Sequence, residues 1–157
     1  MKDQEKTFSV ASILSVLGML IALVLEQLPY GILLDIDIGN GEMVPTSMSY
    51  YSAEALKNGF PWALITMSLT IITLAFMLAR TIFRKWWLKL ICYILCLMTI
   101  VFSSVVIAKM AQNGVSTVTS VLVVTFQGVA MLVDVLQGFY EDCISNARSR
   151  SKDNENL

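Results

Sequence analysis

Four long apolar blocks, at 8–29, 60–81, 87–110 and 115–139, constrain this chain more than any other feature. Each is long enough to cross a bilayer core of about 30 Å, which takes roughly 20 helical residues. Inside a bilayer the backbone must satisfy its own hydrogen bonds, so such blocks fold as helices. The expected fold is an all-α membrane protein, a four-transmembrane-helix bundle forming one membrane domain over 1–157. Composition agrees: 56% of the residues are hydrophobic and 15% charged, where a soluble domain carries about 25% charge.

The basic residues give an orientation. Lys2, Lys6, Arg80, Arg84, Lys85, Lys89, Arg148, Arg150 and Lys152 fall on one side of the four blocks, and Lys57 and Lys109 on the other. The positive-inside rule then predicts both termini in the cytoplasm. Residues 1–7 are read as a cytoplasmic tail, 82–86 as a cytoplasmic loop, 111–114 as an outer turn and 140–157 as a cytoplasmic tail, whose stretch "SNARSRSKDNENL" from Ser145 is polar and expected to be disordered. The first block is too long for a signal-peptide core and lacks a small-x-small cleavage site, so it is read as a retained anchor.

The segment 30–59 is polar enough to leave the membrane and is read as an extracytoplasmic loop. Ile32, Leu34, Ile36 and Ile38 alternate with Leu33, Asp35 and Asp37, the period-2 pattern of a strand with one wet face. Asn40-Gly41 is a strong hairpin-turn dipeptide, and Met43-Val44 begins a return strand that Pro45 should keep short. A small β-hairpin is expected between the first two helices. Tyr50, Tyr51 and Trp62 suit the headgroup level on this side, and Trp86 and Trp87 suit the other. Asn58 or Gly59 can cap the second helix, with Pro61 in its first turn.

Each apolar block carries small or polar residues at four-three spacing. The first has Ser15, Met19, Ala22 and Glu26; the second Thr66, Thr70 and Thr73; the third Cys92, Cys96, Thr99 and Ser103; the fourth Ser116, Ser120, Val123, Gln127, Ala130 and Asp134. Lipid supplies no hydrophobic force between helices, so such stripes should mark the packing faces. The three cysteines, Cys92, Cys96 and Cys143, are read as free thiols.

Glu26 and Asp134 are the acids within the apolar blocks, and intramembrane acids are functional candidates by default. Counted along its own helix, Glu26 lies about 27 Å from the cytoplasmic end. That predicts an interfacial or loop-anchoring carboxylate at the outer side, with Lys57 or Lys109 in reach, rather than a transport residue. Asp134 falls near the inner side, where Arg80, Lys89 or Lys6 could reach it. Gln127 shares its face and Gln137 is close, which marks Asp134 for a functional role beside the plainer expectation of a structural bond or ion pair. The candidate functional polar residues are therefore Asp134, Gln127 and Glu26.

No catalytic set, cofactor motif or metal site is expected. Histidine is absent, which removes the usual general base and the commonest metal ligand. "DIDIGNGE" resembles a calcium loop only superficially, because counting from Asp35 the required sixth glycine and twelfth glutamate are Asn40 and Thr46. A net charge of −1 with scattered basic residues gives no footprint for nucleic acid.

The outer half carries "ExLPYG" at Glu26–Gly31, a tyrosine-serine element at Tyr50–Ser52, and "GFPxxxIT" from Gly59 to Thr66. In these short motifs, over about its first half, the chain resembles a group of small four-helix membrane proteins of Gram-positive bacteria to which no activity is assigned. The resemblance implies a bacterial plasma membrane and a shaped outer loop, and it assigns no functional residue. In size the chain is also similar to the small multidrug resistance transporters. Those keep an essential glutamate near the middle of the first helix, whereas Glu26 stands at the end of its helix. Two functional readings follow. The first is a non-enzymatic accessory subunit that binds a membrane-protein partner or a second copy of itself in the lipid bilayer. The second is a small transporter or channel component using Asp134, Gln127 and Glu26.

Overall fold

The computed structural model describes residues 10–37, 39, 41–57, 60–83, 85–112 and 118–155, with backbone alone at 54, 112, 141, 142 and 145–155. Four helices are long and apolar enough to cross a membrane: α1 (Val10–Gln27), α3 (Trp62–Phe83), α4 (Trp86–Gln112) and α5 (Val118–Glu155), the last over its first 23 residues. Between α1 and α3 lie a two-stranded antiparallel sheet, β1 (Ile32–Asp37) and β2 (Met43–Met48), and the short helix α2 (Ala53–Lys57).

The four long helices form a ring. α1 packs on α5 and α3, and α4 packs on α3 and α5. Each turns one stripe inward: Ser15, Met19, Ala22 and Glu26 on α1; Thr66, Thr70 and Thr73 on α3; Cys92, Cys96, Thr99 and Ser103 on α4; Ser120, Val123, Gln127, Ala130 and Asp134 on α5. These are the small and polar stripes of the sequence, Ser116 alone lying outside the described residues. Only 28% of each span is buried, the two-in-seven share of a single packing seam. The remaining faces carry exposed residues such as Leu14, Leu17, Ile71, Ile94, Leu97 and Leu132, an apolar surface that suits lipid.

Small residues set the closest approach. A Cβ added to Gly18 would meet the Ala130 Cβ at 3.2 Å, and the Ser15 hydroxyl donates to the Ala130 carbonyl at 2.9 Å. The α1 and α5 backbones therefore meet closely at this level, as small-residue seams allow.

The hairpin is a lid rather than a free arm. Ile32, Leu34 and Ile36 share the inward face of β1 and pack with Tyr50, Phe60, Ala63, Val106 and Met110 on the helix ends. Asp35 and Asp37 are exposed on the other face. Pairing runs in register from Ile32 opposite Met48 to Asp37 opposite Met43. Pro45 does not shorten β2, because the far side of a two-stranded sheet is an edge that can do without its N–H. The turn expected at Asn40-Gly41 falls within the connection 38–42 between the strands. The Asp37 carboxylate organises it by accepting from the N–H groups of Gly39 (2.8 Å) and Gly41 (3.2 Å). Both glycines have positive φ, 99° and 75°, a region that L residues rarely adopt. Ile38 and Asn40 themselves lie outside the described residues.

Two further expectations need correction. Tyr50 is not an exposed interface residue; it is buried, whereas Tyr51 is exposed. The stretch expected to be disordered from Ser145 is helical as far as Glu155, because α5 continues through it. No Pro or Gly follows Gly138, and Ala147, Arg148, Arg150, Lys152 and Glu155 are good helix formers. Among the turns, α4 extends through Gln112, and Asn113-Gly114 of the expected outer turn lie outside the described residues, as do Asn58, Gly59, Arg84 and the first nine residues.

Candidate functional site

Glu26 occupies the last turn of α1. Helical side chains lean toward the N-terminus, so its carboxyl is aimed back into the bundle and not up toward the lid. It is fully buried. Thr70 lies eight residues after the start of α3, about 12 Å along that helix, and its hydroxyl donates to Glu26 Oε1 at 2.8 Å. The Gln127 amide reaches the same oxygen from α5 at 3.1 Å and the Thr70 hydroxyl at 3.2 Å. Ser103 of α4 donates to the Gln127 carbonyl at 2.6 Å. That bond fixes the amide, because its oxygen is taken by a donor and its NH₂ must face Glu26. α3 and α5 thus meet on the α1 carboxyl, and α4 joins the network through Gln127. A turn deeper, the Thr73 and Thr99 hydroxyls join α3 to α4 at 2.9 Å.

The lid is fastened to the same place. The Tyr50 N–H donates to the Glu26 carbonyl at 3.1 Å, and the Ser120 hydroxyl donates to the Gly31 carbonyl at 2.5 Å. The Tyr50 ring covers Gly31, where an added Cβ would lie 2.8 Å from Tyr50 Cδ2. Burial pushes the Tyr50 phenol up to about 12; Ser120 opposes the shift and the nearby Glu26 carboxylate adds to it. The hydroxyl faces Ser120 but completes no hydrogen bond of good geometry, and Glu26 Oε2 is likewise buried without a partner.

Asp134 belongs to a separate cluster near the other end of the bundle. It forms an ion pair with Arg80 of α3. The Arg80 guanidinium also sits over the Tyr93 ring, 5.6 Å from its centroid. Lys89 donates to the Gly138 carbonyl at 3.1 Å, and Ser12 donates to Gln137 at 2.8 Å.

The three candidate residues therefore divide. Glu26 and Gln127 come together; Asp134 joins Arg80, one of the three cations expected in its reach. Glu26 is buried within the bundle, its side chain bonds neutral donors rather than Lys57 or Lys109, and its carbonyl anchors the loop by accepting from the Tyr50 N–H. Counting along α1 alone could not show this, because burial depends on the helices that face it. Thr70 and Ser103 were visible as stripe members, but not as the partners of Glu26 and of Gln127 respectively. Tyr50 gave no signal beyond its aromatic character. Among the described residues no group of three or more His, Cys, Asp or Glu converges. No protein-family model, curated protein or solved structure matches the chain.

Proposed function

We propose that this is a multi-pass plasma-membrane protein of a bacterium, with both termini cytoplasmic and the hairpin lid outside, that works without catalysis by binding a membrane-protein partner or a second copy of itself. The observation that carries this reading is the lid. It is held on the bundle by a buried face, yet Tyr30, Met43, Val44 and Tyr51 stay exposed on it and beside it. An ordered platform with uncovered apolar side chains suits a contact surface. The test is gentle detergent extraction of the native protein beside a Val44→Asp, Tyr51→Asp variant. A stoichiometric assembly that the variant loses while staying monodisperse supports the reading. A chain that is monomeric and alone in both forms overturns it.

A second reading, a small transporter or channel component, is favoured by the burial of Glu26 among neutral donors. With Asp134 engaged by Arg80, its polar pair is Glu26 and Gln127. Reconstituted protein should then carry an ion flux that Glu26→Gln abolishes, with Asp134 affecting assembly rather than flux.

A further inference from the structure

We propose that the groove between α1 and α3, at the end of the bundle that carries Arg80, holds one acyl chain of an anionic phospholipid.

Ile13, Leu17 and Leu20 of α1 and Leu78 of α3 line this groove, whose volume is about 210 Å³. Each of the four is about half exposed, so the groove opens away from the bundle interior. Its lining is almost wholly apolar. Two hydroxyls belong to it, Ser12 and Thr81, and both donate to protein oxygens: Ser12 to Gln137 at 2.8 Å and Thr81 to the Leu78 carbonyl at 2.6 Å. Ser12 stands at the start of α1 and Thr81 in the last turn of α3, so both mark the same end of the groove. The groove is thus amphipathic along its length.

Its length and charge select the occupant. From Ser12 to Leu20 α1 rises about 12 Å. A bilayer core is about 30 Å thick, so one leaflet is about 15 Å deep, and the groove stops within a single leaflet. A partner helix crossing both leaflets would meet it over less than half its length, whereas one acyl chain fits that depth. The polar end is cationic. Among the described side chains there, Arg80, Lys85 and Lys89 stand against one acid, Asp134, which Arg80 engages. Arg80 directly precedes Thr81. Lys89 donates to the carbonyl of Gly138, the residue after the Gln137 that holds Ser12. Lys85 is exposed, as are Trp86 and Trp87 beside it, the side chains of a headgroup level. Basic residues at that level attract anionic headgroups. The inference holds whether the protein binds a partner or carries an ion, and it needs only that the helices lie in a bilayer.

The test is native mass spectrometry of the purified full-length protein in mild detergent, titrated with dioleoyl phosphatidylglycerol or dioleoyl phosphatidylcholine. The native chain should bind one phosphatidylglycerol saturably, and phosphatidylcholine about tenfold more weakly. Leu17→Trp combined with Leu78→Trp fills the groove and should abolish the binding. Lys85→Glu, a change at an exposed position, should remove most of the preference for phosphatidylglycerol; it decides alone if the tryptophan pair disturbs folding. No saturable binding, equal binding of the two lipids, binding unchanged in a folded tryptophan variant, or a preference unchanged in Lys85→Glu overturns the proposal. A lipid-free dimer that the tryptophans break also overturns it and assigns the groove to a second copy. A chain that needs detergent to leave the membrane yet binds neither lipid overturns this inference and leaves the membrane reading standing.

Discussion

The Gln127 amide donates to Glu26 Oε1 at 3.1 Å, tying the third turn of α5 to the last turn of α1. Both side chains are fully buried. Gln127→Leu keeps the approximate volume and removes the donor. It leaves Ser103 and Glu26 each short of a partner, which should cost about 1–3 kcal/mol. Thermal unfolding in detergent should show the loss. Combined with Thr70→Val, the two losses should fail to add, since both act on one carboxyl oxygen. Additive effects would mean that the two donors act independently.

The Arg80–Asp134 pair is mostly buried, at 11% and 8% side-chain exposure. Removing one partner strands the other charge. Asp134→Ala should destabilise by about 3–5 kcal/mol. Adding Arg80→Ala should recover part of that loss, because the double variant leaves no buried charge. A double variant less stable than Asp134→Ala alone would show that Arg80 contributes mainly through its other contacts, the Tyr93 ring among them.

Gly31 leaves no room for a methyl group, with Tyr50 Cδ2 at 2.8 Å and Cε2 at 3.0 Å from the added Cβ. An aromatic ring held by the lid cannot swing away cheaply, so Gly31→Ala should cost about 1–3 kcal/mol through overpacking. Proteolysis should then cut the lid at lower protease concentrations while the long helices persist. Pairing Gly31→Ala with Tyr50→Leu should restore resistance.

The proposed orientation makes a separate prediction. In cells expressing protein without its native cysteines, Asn40→Cys should react with a membrane-impermeant thiol reagent, and Ser151→Cys should react only after permeabilisation. The reverse pattern would invert the bundle in the membrane.

Much of the bundle was legible because membrane packing writes itself into helical spacing. Ser15, Met19, Ala22 and Glu26, like Cys92, Cys96, Thr99 and Ser103, share a face on any helix, and those faces are the buried ones. The alternation of Ile32, Leu34 and Ile36 likewise located the inward side of β1. Burial at the end of α1 was not legible. It depends on the helices that face the residue, and on a lid whose docking the sequence does not encode locally. For the same reason Tyr50 looked like an interface tyrosine: burial against Gly31 is a contact between residues nineteen apart. The turn dipeptide marked the connection after β1, whereas the Asp37 carboxylate that accepts from the backbone N–H groups of Gly39 and Gly41 was not legible. The helical continuation of α5 was hidden by its polarity, which says nothing against helix formation once a long helix is already nucleated.

The Glu26 side chain points into the bundle, whereas Tyr30, four residues later, faces outward with 65% exposure. Cysteine reactivity in native membranes separates the two directly. In a background with Cys92, Cys96 and Cys143 replaced, Tyr30→Cys should be modified rapidly by an impermeant thiol reagent, and Glu26→Cys should be protected until the protein is denatured. Equal reactivity at the two positions would place Glu26 at the membrane surface and contradict the account.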